Sequence, residues 1–262
     1  MRSLLRAPID TIAAPPFLTH LKWVNVATLR MDKQLGNPVL VEFWDCCRAN
    51  SMRTLPYMRE WFRRYATHPS SPSPSQAEMP TLRVVGIHSP GFAAARTREE
   101  VRAAVARLGI EYPILVDPDL EMWEVYENRG WPARYLFDGQ GMLVHYHFGE
   151  GAYRETELAI QELLGSEREP LPPTRPEDVE GAELAPPSPE REGAYSGPYE
   201  AGGVWAVLDG EGVAQANGTP IAVSGPGAYA LIEHERHTAG VLELQLGAGV
   251  RCLATCFTPG LA

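Results

Sequence analysis

The chain has 262 residues, of which 44% are hydrophobic and 21% are charged, a composition typical of globular proteins. Its net charge of −10 argues against a nucleic-acid-binding protein, since such proteins need a basic face. No apolar run approaches the roughly 20 residues of a membrane helix, so no membrane span is predicted.

The N-terminal segment as far as Phe17 shows no recognisable targeting signal. Prolines interrupt it at Pro8, Pro15 and Pro16, and it lacks a continuous apolar stretch, so no signal peptide is predicted. The whole chain has 4 cysteines, too few for a disulfide framework, which fits a reducing compartment. Together these features predict a cytoplasmic protein.

A buried strand, a cysteine-containing turn and a helix are predicted in succession. The run from Val39 to Trp44 is apolar and rich in β-branched and aromatic residues, as in a strand buried on both faces. Cys46 and Cys47 follow in a short polar turn. Apolar residues then recur at helical spacing, which predicts a helix from about Met52 to Ala66, with Pro56 as a kink or a late start. A thiol at a helix N-terminus is favoured as thiolate.

Strands and helices continue to alternate as far as Leu164. The predicted strands are 82–88, 112–117 and 142–148, and the predicted helices are 97–109, 119–127 and 155–164. Thr97 and Glu100 match a capping box, and residues 138–141 match a hairpin turn. The Ser- and Pro-rich residues 68–79 are expected to form an exposed flexible loop.

The C-terminal third changes character. A Pro- and Glu-rich linker is predicted at 166–194, followed by a small all-β sandwich or jelly-roll-like module at 195–262. Its predicted strands are 203–208, 212–215, 220–223, 228–232, 241–246 and 250–257. Turn signals such as Asp209–Gly210 separate them. A module this small buries little core, so it is expected to pack on the first domain or on a second copy, which makes a homodimer an open possibility.

The stretch around the two cysteines resembles a known family. Phe43–Trp44, followed by Arg-Thr-Leu-Pro at residues 53–56, is similar to the thioredoxin-like thiol–disulfide oxidoreductases of the TlpA and DipZ kind. In that family three residues follow Phe-Trp, and Cys-x-x-Cys then opens the helix. Aligned without a gap, the two cysteine positions fall on Arg48 and Ser51. The resemblance therefore implies that both redox cysteines are replaced.

The resemblance covers roughly Pro16 to Leu164. It implies an α/β thioredoxin-like domain at 1–165, in which helices flank a central mixed sheet. It also implies a cis peptide bond before Pro132, beside which an extended substrate pairs in thioredoxin folds. In DipZ-type proteins the all-β module that follows is similar to carbohydrate-binding modules.

The leading functional hypothesis is a protein that keeps the thioredoxin binding surface but lacks dithiol exchange. That surface would be the Trp131–Pro132 loop opposite Arg48 to Ser51. It would take a peptide, a protein thiol or disulfide partner, or a small ligand. Arg48 either holds an anionic group near the helix N-terminus or faces solvent.

Two other hypotheses remain open. The first is monothiol or peroxide chemistry at Cys47 beside Cys46, with Glu42 as the base. Under the alternative, the two cysteines are inert and Glu42 is a buried carboxylate that needs a polar neighbour. The second is carbohydrate or partner binding through the β module, where Trp205 and Tyr229 either form a sugar-stacking surface or belong to the core.

No metal site and no cofactor are predicted. His145 and His147 share one strand face, but no spaced carboxylate or thiolate completes a site with them and His88. The sequence from His234 to His237 lacks the helical context of a zinc enzyme motif. These histidines are therefore expected to be hydrogen-bonded or exposed.

Overall fold

The computed structural model describes residues 11–66 and 80–262, so the loop predicted at 68–79 and the chain before Thr11 lie outside it. The chain separates into two compact units. The first comprises Met1–Trp44, Thr54–Ser89 and Ile110–Leu171, and the second comprises Asp45–Arg53, Pro90–Gly109 and Pro172–Ala262. Within the described residues, every helix is too short or too polar to cross a bilayer.

The first unit is built on a six-stranded mixed sheet in the order β1-β4-β3-β2-β5-β6. Strands β2, β3 and β4 run parallel to one another, and the remaining pairs are antiparallel. The strands are β1 Lys22–Val24, β2 Val39–Trp44, β3 Arg83–His88, β4 Ile114–Val116, β5 Ala133–Phe137 and β6 Leu143–Phe148. A central mixed sheet accompanied by helices confirms the predicted α/β class.

Strand β2 lies between β3 and β5, and all its residues are buried. Its side chains alternate between the two faces of the sheet, so both faces must be apolar. One of them joins a core cluster formed by Phe17, Leu21, Trp23, Met31, Val39, Val41, Phe43, Val85, Ile87, Leu115, Met122, Tyr126, Ala133, Tyr135, Phe137 and Leu143. Strand β2 ends at Trp44, directly before the cysteine turn in the chain.

The helices differ from the predicted ones mainly at their ends. They are α1 Ala49–Trp61, α2 Arg98–Arg107, α3 Glu121–Val125 and α4 Tyr153–Leu164. Helix α1 begins at Ala49 because the carbonyl of Arg48 already accepts a hydrogen bond from the amide of Met52. The predicted late start is therefore wrong, and Pro56 lies inside the helix. Helix α1 passes directly into a π-helical turn at Phe62–Ala66.

The capping box predicted for α2 is confirmed. The Thr97 side chain accepts a hydrogen bond from the Glu100 amide, and the Glu100 carboxylate accepts one from the Thr97 amide. Helix α3 is shorter than the predicted 119–127. The Asp117 carboxylate accepts hydrogen bonds from the amides of Met122 and Trp123, which satisfies donors in the first turn of α3.

The second unit contains an all-β region organised around one long strand. Its strands are β7 Leu184–Ala185, β8 Arg191–Glu192, β9 Gly197–Ala216, β10 Thr219–Ser224, β11 Gly227–Leu242, β12 Leu244–Leu246, β13 Val250–Thr258 and β14 Gly260–Leu261. Strand β9 pairs with β10, β11, β12 and β13. The turn predicted at Asp209–Gly210 is wrong, because β9 continues through it with Gly210 at a φ of 99°.

The stretch predicted as a linker also contributes strands. Within it, β7 pairs with β14, and β8 pairs with β13. The apolar core of the β region is formed by Tyr199, Ala201, Val204, Ala206, Leu208, Ala214, Ala216, Val223, Leu231, Leu242, Leu244, Val250 and Phe257.

Candidate functional site

The two adjacent cysteines lie in the turn between β2 and α1. Asp45, Cys46 and Cys47 are all buried, the cysteine Sγ atoms are 4.0 Å apart, and neither cysteine forms a disulfide. The Asp45 carboxylate accepts hydrogen bonds from the Cys47 amide at 2.8 Å and from the Gly91 amide at 2.9 Å. One buried carboxylate therefore holds the turn in place.

A loop of the β region covers Cys46. The Cys46 thiol donates to the carbonyl oxygen of Pro226 at 3.8 Å, and the Cys46 carbonyl accepts a hydrogen bond from the Ala228 amide at 2.7 Å. Arg107, at the end of α2, donates to the carbonyls of Ser224 and Pro226, each at 2.7 Å. The loop between β10 and β11 is thus fastened on both sides.

These surroundings disfavour a thiolate at Cys47. The hydrogen bond with Cys46 raises the pKa of the Cys47 thiol, and burial and the charge of Asp45 raise it further, while Arg107 opposes the change. The monothiol hypothesis needs the opposite, a lowered pKa.

Arg48 and Ser51, which the resemblance predicts at the redox positions, have partners of their own. The Ser51 hydroxyl is buried and accepts a hydrogen bond from the Asp45 amide at 3.2 Å. Arg48 is half-buried, with its guanidinium 5.0 Å from the ring centroid of Phe92 and a nitrogen 3.9 Å from the Glu190 carboxylate. Ser51 therefore shapes the turn, and Arg48 lies beside carboxylates of its own chain.

Glu42 is buried at the centre of β2, opposite Arg134 on β5. Burial raises the pKa of its carboxyl to about 8, and the charge of Arg134 only partly opposes this. Arg134 donates a hydrogen bond to the Gly151 carbonyl and lies over the rings of Trp61 and Tyr153. Glu42 is thus mostly protonated at neutral pH, a state unsuited to a general base.

The Trp131–Pro132 peptide bond is cis, which confirms the prediction. The Trp131 indole donates to the Ser89 carbonyl at 2.8 Å, and its ring centroid lies 4.3 Å from that of Trp123. The Ser89 hydroxyl donates to Asp117 at 2.8 Å. Pro132 is buried and Trp131 half-buried, so this loop presents an aromatic surface held by hydrogen bonds.

Sequence reasoning missed the parts played by Asp117 and Arg107. Asp117 stands shortly before a short helix, which is a recognisable N-terminal signal. Arg107 carries no local signal, because its acceptors lie more than a hundred residues away in the chain.

The remaining candidates fit the plainer alternatives. His145 is 3.1 Å from the Thr156 hydroxyl and His147 is 2.8 Å from the Glu150 carbonyl, and burial lowers the pKa of both imidazoles. Trp205 on β9 is buried, so its ring is not available as an exposed stacking surface.

No protein-family model matches the chain. Protein DipZ of Mycobacterium tuberculosis is 31% identical over 184 residues, which cover 69% of this chain and 25% of DipZ. Thiol-disulfide oxidoreductase YkuV of Bacillus subtilis is 26% identical over 150 residues, which cover 57% of this chain and 93% of YkuV. The chain therefore spans about a quarter of the length of DipZ.

A solved structure agrees with the fold. The crystal structure of a thioredoxin-like superfamily protein has a TM-score of 0.50 and 24% identity, and the match covers 61% of this chain and 100% of that one. The sequence contains no Cys-x-x-Cys. The sequence similarity and the mixed sheet agree that the chain belongs to the thioredoxin-like thiol–disulfide oxidoreductase family.

Proposed function

We propose that this chain is a thioredoxin-fold binding protein with little or no dithiol exchange. Dithiol exchange needs one accessible thiolate that attacks and a second thiol that resolves the mixed disulfide. The observation that carries the proposal is the burial of both Cys46 and Cys47. By resemblance, the family's two cysteine positions hold Arg48 and Ser51, neither of which can take part in a disulfide.

The Trp131–Pro132 loop is the proposed binding surface. In the family, the peptide before the cis proline pairs with an extended substrate. The half-buried Trp131 ring beside Trp123 adds an aromatic surface that suits an apolar side chain. An extended peptide segment of a protein partner suits this arrangement, because the cis peptide before Pro132 offers backbone groups and Trp131 offers an apolar ring.

The two other hypotheses have less support. Monothiol or peroxide chemistry at Cys47 would require the covered turn to open and the pKa of its thiol to fall. Sugar stacking on Trp205 would require that buried indole to become exposed. The surroundings of both residues oppose these changes.

An insulin-reduction assay tests the lack of dithiol exchange. We expect the unaltered chain to be inactive and the Arg48→Cys/Ser51→Cys variant to gain turnover, because it restores Cys-x-x-Cys at the start of α1. An Arg48→Ser variant is the matched control and should remain inactive. Turnover by the unaltered chain that is lost in Cys47→Ser would establish the monothiol enzyme instead.

Peptide binding is tested separately by fluorescence anisotropy with reduced, labelled insulin B chain as an extended probe. We expect Trp131→Ala to weaken binding about tenfold, as for a buried aromatic contact. Leu158→Ala removes an exposed apolar side chain on α4 and should bind like the unaltered chain. Equal binding by all three proteins would place the peptide elsewhere.

A further inference from the structure

The cysteine turn brings three metal-ligating groups together. One ligand atom each from Asp45, Cys46 and Cys47 lies within 4.8 Å of the others, and all three residues are buried. The two sulfur atoms are 4.0 Å apart. Two thiolates bound to one zinc ion at about 2.3 Å would lie about 3.8 Å apart in a tetrahedral site. The sulfur atoms therefore already stand at chelating distance.

We propose that Asp45, Cys46 and Cys47 bind a thiophilic divalent cation, with Zn²⁺ as the physiological ion. The proposal goes beyond peptide binding at the Trp131–Pro132 loop and does not depend on it. It also departs from the sequence-based expectation of no metal site, which followed from the absence of a spaced ligand motif. Asp45, Cys46 and Cys47 are consecutive residues, so they do not show the separated spacing of known metal-binding motifs.

Charge balance favours a cation over free thiolates. Binding exchanges two thiol protons for one ion: Zn²⁺ and two thiols give a zinc dithiolate and two protons. The Asp45 carboxylate leaves the site with one net negative charge, and the Arg48 guanidinium lies 4.0 Å from that carboxylate. The bound cation and the Arg48 guanidinium together stabilise the two thiolates and the Asp45 carboxylate, which burial has deprived of water.

The donor set also selects among cations. Two sulfur atoms and one carboxylate oxygen suit Zn²⁺ and Cd²⁺, whereas Mg²⁺ and Ca²⁺ prefer oxygen ligands. Both Asp45 oxygens already accept backbone hydrogen bonds, which fix the direction of the carboxylate as outer contacts do in known metal sites. Coordination would end the hydrogen bond from the Cys46 thiol to Pro226, and Pro226 would keep its donor from Arg107.

The test is a titration of the full chain, reduced and freed of metal, with Cd²⁺ as a spectroscopic probe and Zn²⁺ as competitor. We expect one ion per chain, a thiolate-to-cadmium absorption band, release of two protons, and no competition from Mg²⁺. Cys46→Ser and Cys47→Ser should each remove the band, and Asp45→Asn should weaken binding about tenfold or more. The Cys252→Ser/Cys256→Ser variant should behave like the unaltered chain.

A measurement without substitutions guards against variants that fail to fold. X-ray absorption at the zinc edge of the unaltered, loaded chain should show two sulfur neighbours at about 2.3 Å. A failure to bind either ion at micromolar concentration would overturn the proposal. So would zinc without sulfur neighbours, or a cadmium band that survives in Cys46→Ser but is lost in the Cys252→Ser/Cys256→Ser variant.

Discussion

Arg107 donates a hydrogen bond to the carbonyl oxygen of Pro226 at 2.7 Å, and the same oxygen accepts a hydrogen bond from the Cys46 thiol at 3.8 Å. A side chain at the end of α2 therefore fastens the loop that covers a cysteine. The access of solvent to Cys46 therefore depends on the hydrogen bonds of Arg107, a residue outside the cysteine turn.

Replacement of Arg107 by alanine should expose the cysteine turn. Two hydrogen bonds from a charged donor are lost, and a loss of about 1.5 kcal/mol in local stability raises the opened fraction about tenfold. We expect Cys46 and Cys47 to be alkylated about tenfold faster in the metal-free chain, as followed by mass spectrometry. Arg102→Ala, exposed on the same helix, is the control. Equal rates in both variants would show that the loop is held by other contacts.

Glu42 should make the stability of the chain fall as pH rises. Its folded pKa is raised from 4.5 to about 8, so the folded chain keeps a proton that the unfolded chain releases between these values. Its contribution is fully present below pH 4.5 and is lost as pH rises through about 8. From pH 5 to 9, Glu42→Gln should gain roughly 3–5 kcal/mol over the unaltered chain in urea unfolding.

The exposed Glu124 provides the control for that pH series. Glu124→Gln should follow the unaltered chain across the range, because the carboxyl is in water in both states. A Glu42→Gln variant whose advantage stays constant with pH would mean that Glu42 is ionised in the folded chain.

Gly86 should not tolerate a side chain. A Cβ at this position would lie 2.5 Å from Cδ1 of Ile114 and 2.9 Å from Nε1 of Trp44, both in the packed sheet. We expect Gly86→Ala to lower the free energy of unfolding by about 2 kcal/mol, as overpacking does. Gly130→Ala, where a Cβ meets nothing within 4 Å, should change it little. Chemical unfolding of both variants decides whether the core adapts.

The carboxylate of Glu157 should stabilise the first unit through its hydrogen bonds. It is buried and accepts from the Tyr65 hydroxyl at 2.7 Å, the Leu171 amide at 2.8 Å and Arg64 at 3.1 Å. Glu157→Gln keeps the shape but replaces one acceptor oxygen with a donor, which leaves one of these donors without an acceptor at a cost of about 2 kcal/mol. Arg64 keeps the Glu60 carboxylate at 3.5 Å. Glu155→Gln, exposed on the same helix, should be neutral in thermal unfolding. If Glu157→Gln left the unfolding temperature unchanged, the shape of the side chain alone would account for its contribution to stability.

Local patterns explain why much of the first unit could be predicted. The run at Val39–Trp44 is apolar because its strand is covered on both faces, and Thr97 with Glu100 caps a helix through backbone groups of the same turn. The cis bond before Pro132 came from family resemblance, since the dipeptide alone favours trans. In each case the determining contacts are either close in sequence or common to the fold.

Long-range contacts explain what could not be predicted. Asp209–Gly210 has turn chemistry, but Gly210 also lets a paired strand bend, and only the partner strands decide between the two. The cover over Cys46 joins residues 180 positions apart, and no local pattern encodes it. The sequence alone did not predict that Cys46 and Cys47 are buried, because a polar turn is usually found at the surface.

Strand β9 gives four other strands, β10, β11, β12 and β13, a common hydrogen-bonding neighbour. Because these strands share β9, we expect the β region to unfold cooperatively and not strand by strand. Its most protected amide hydrogens should therefore report one common free energy of opening, that of a single all-or-none transition. A chain that ends before Ala216 should therefore fail to fold the β region at all, rather than lose a single hairpin from it.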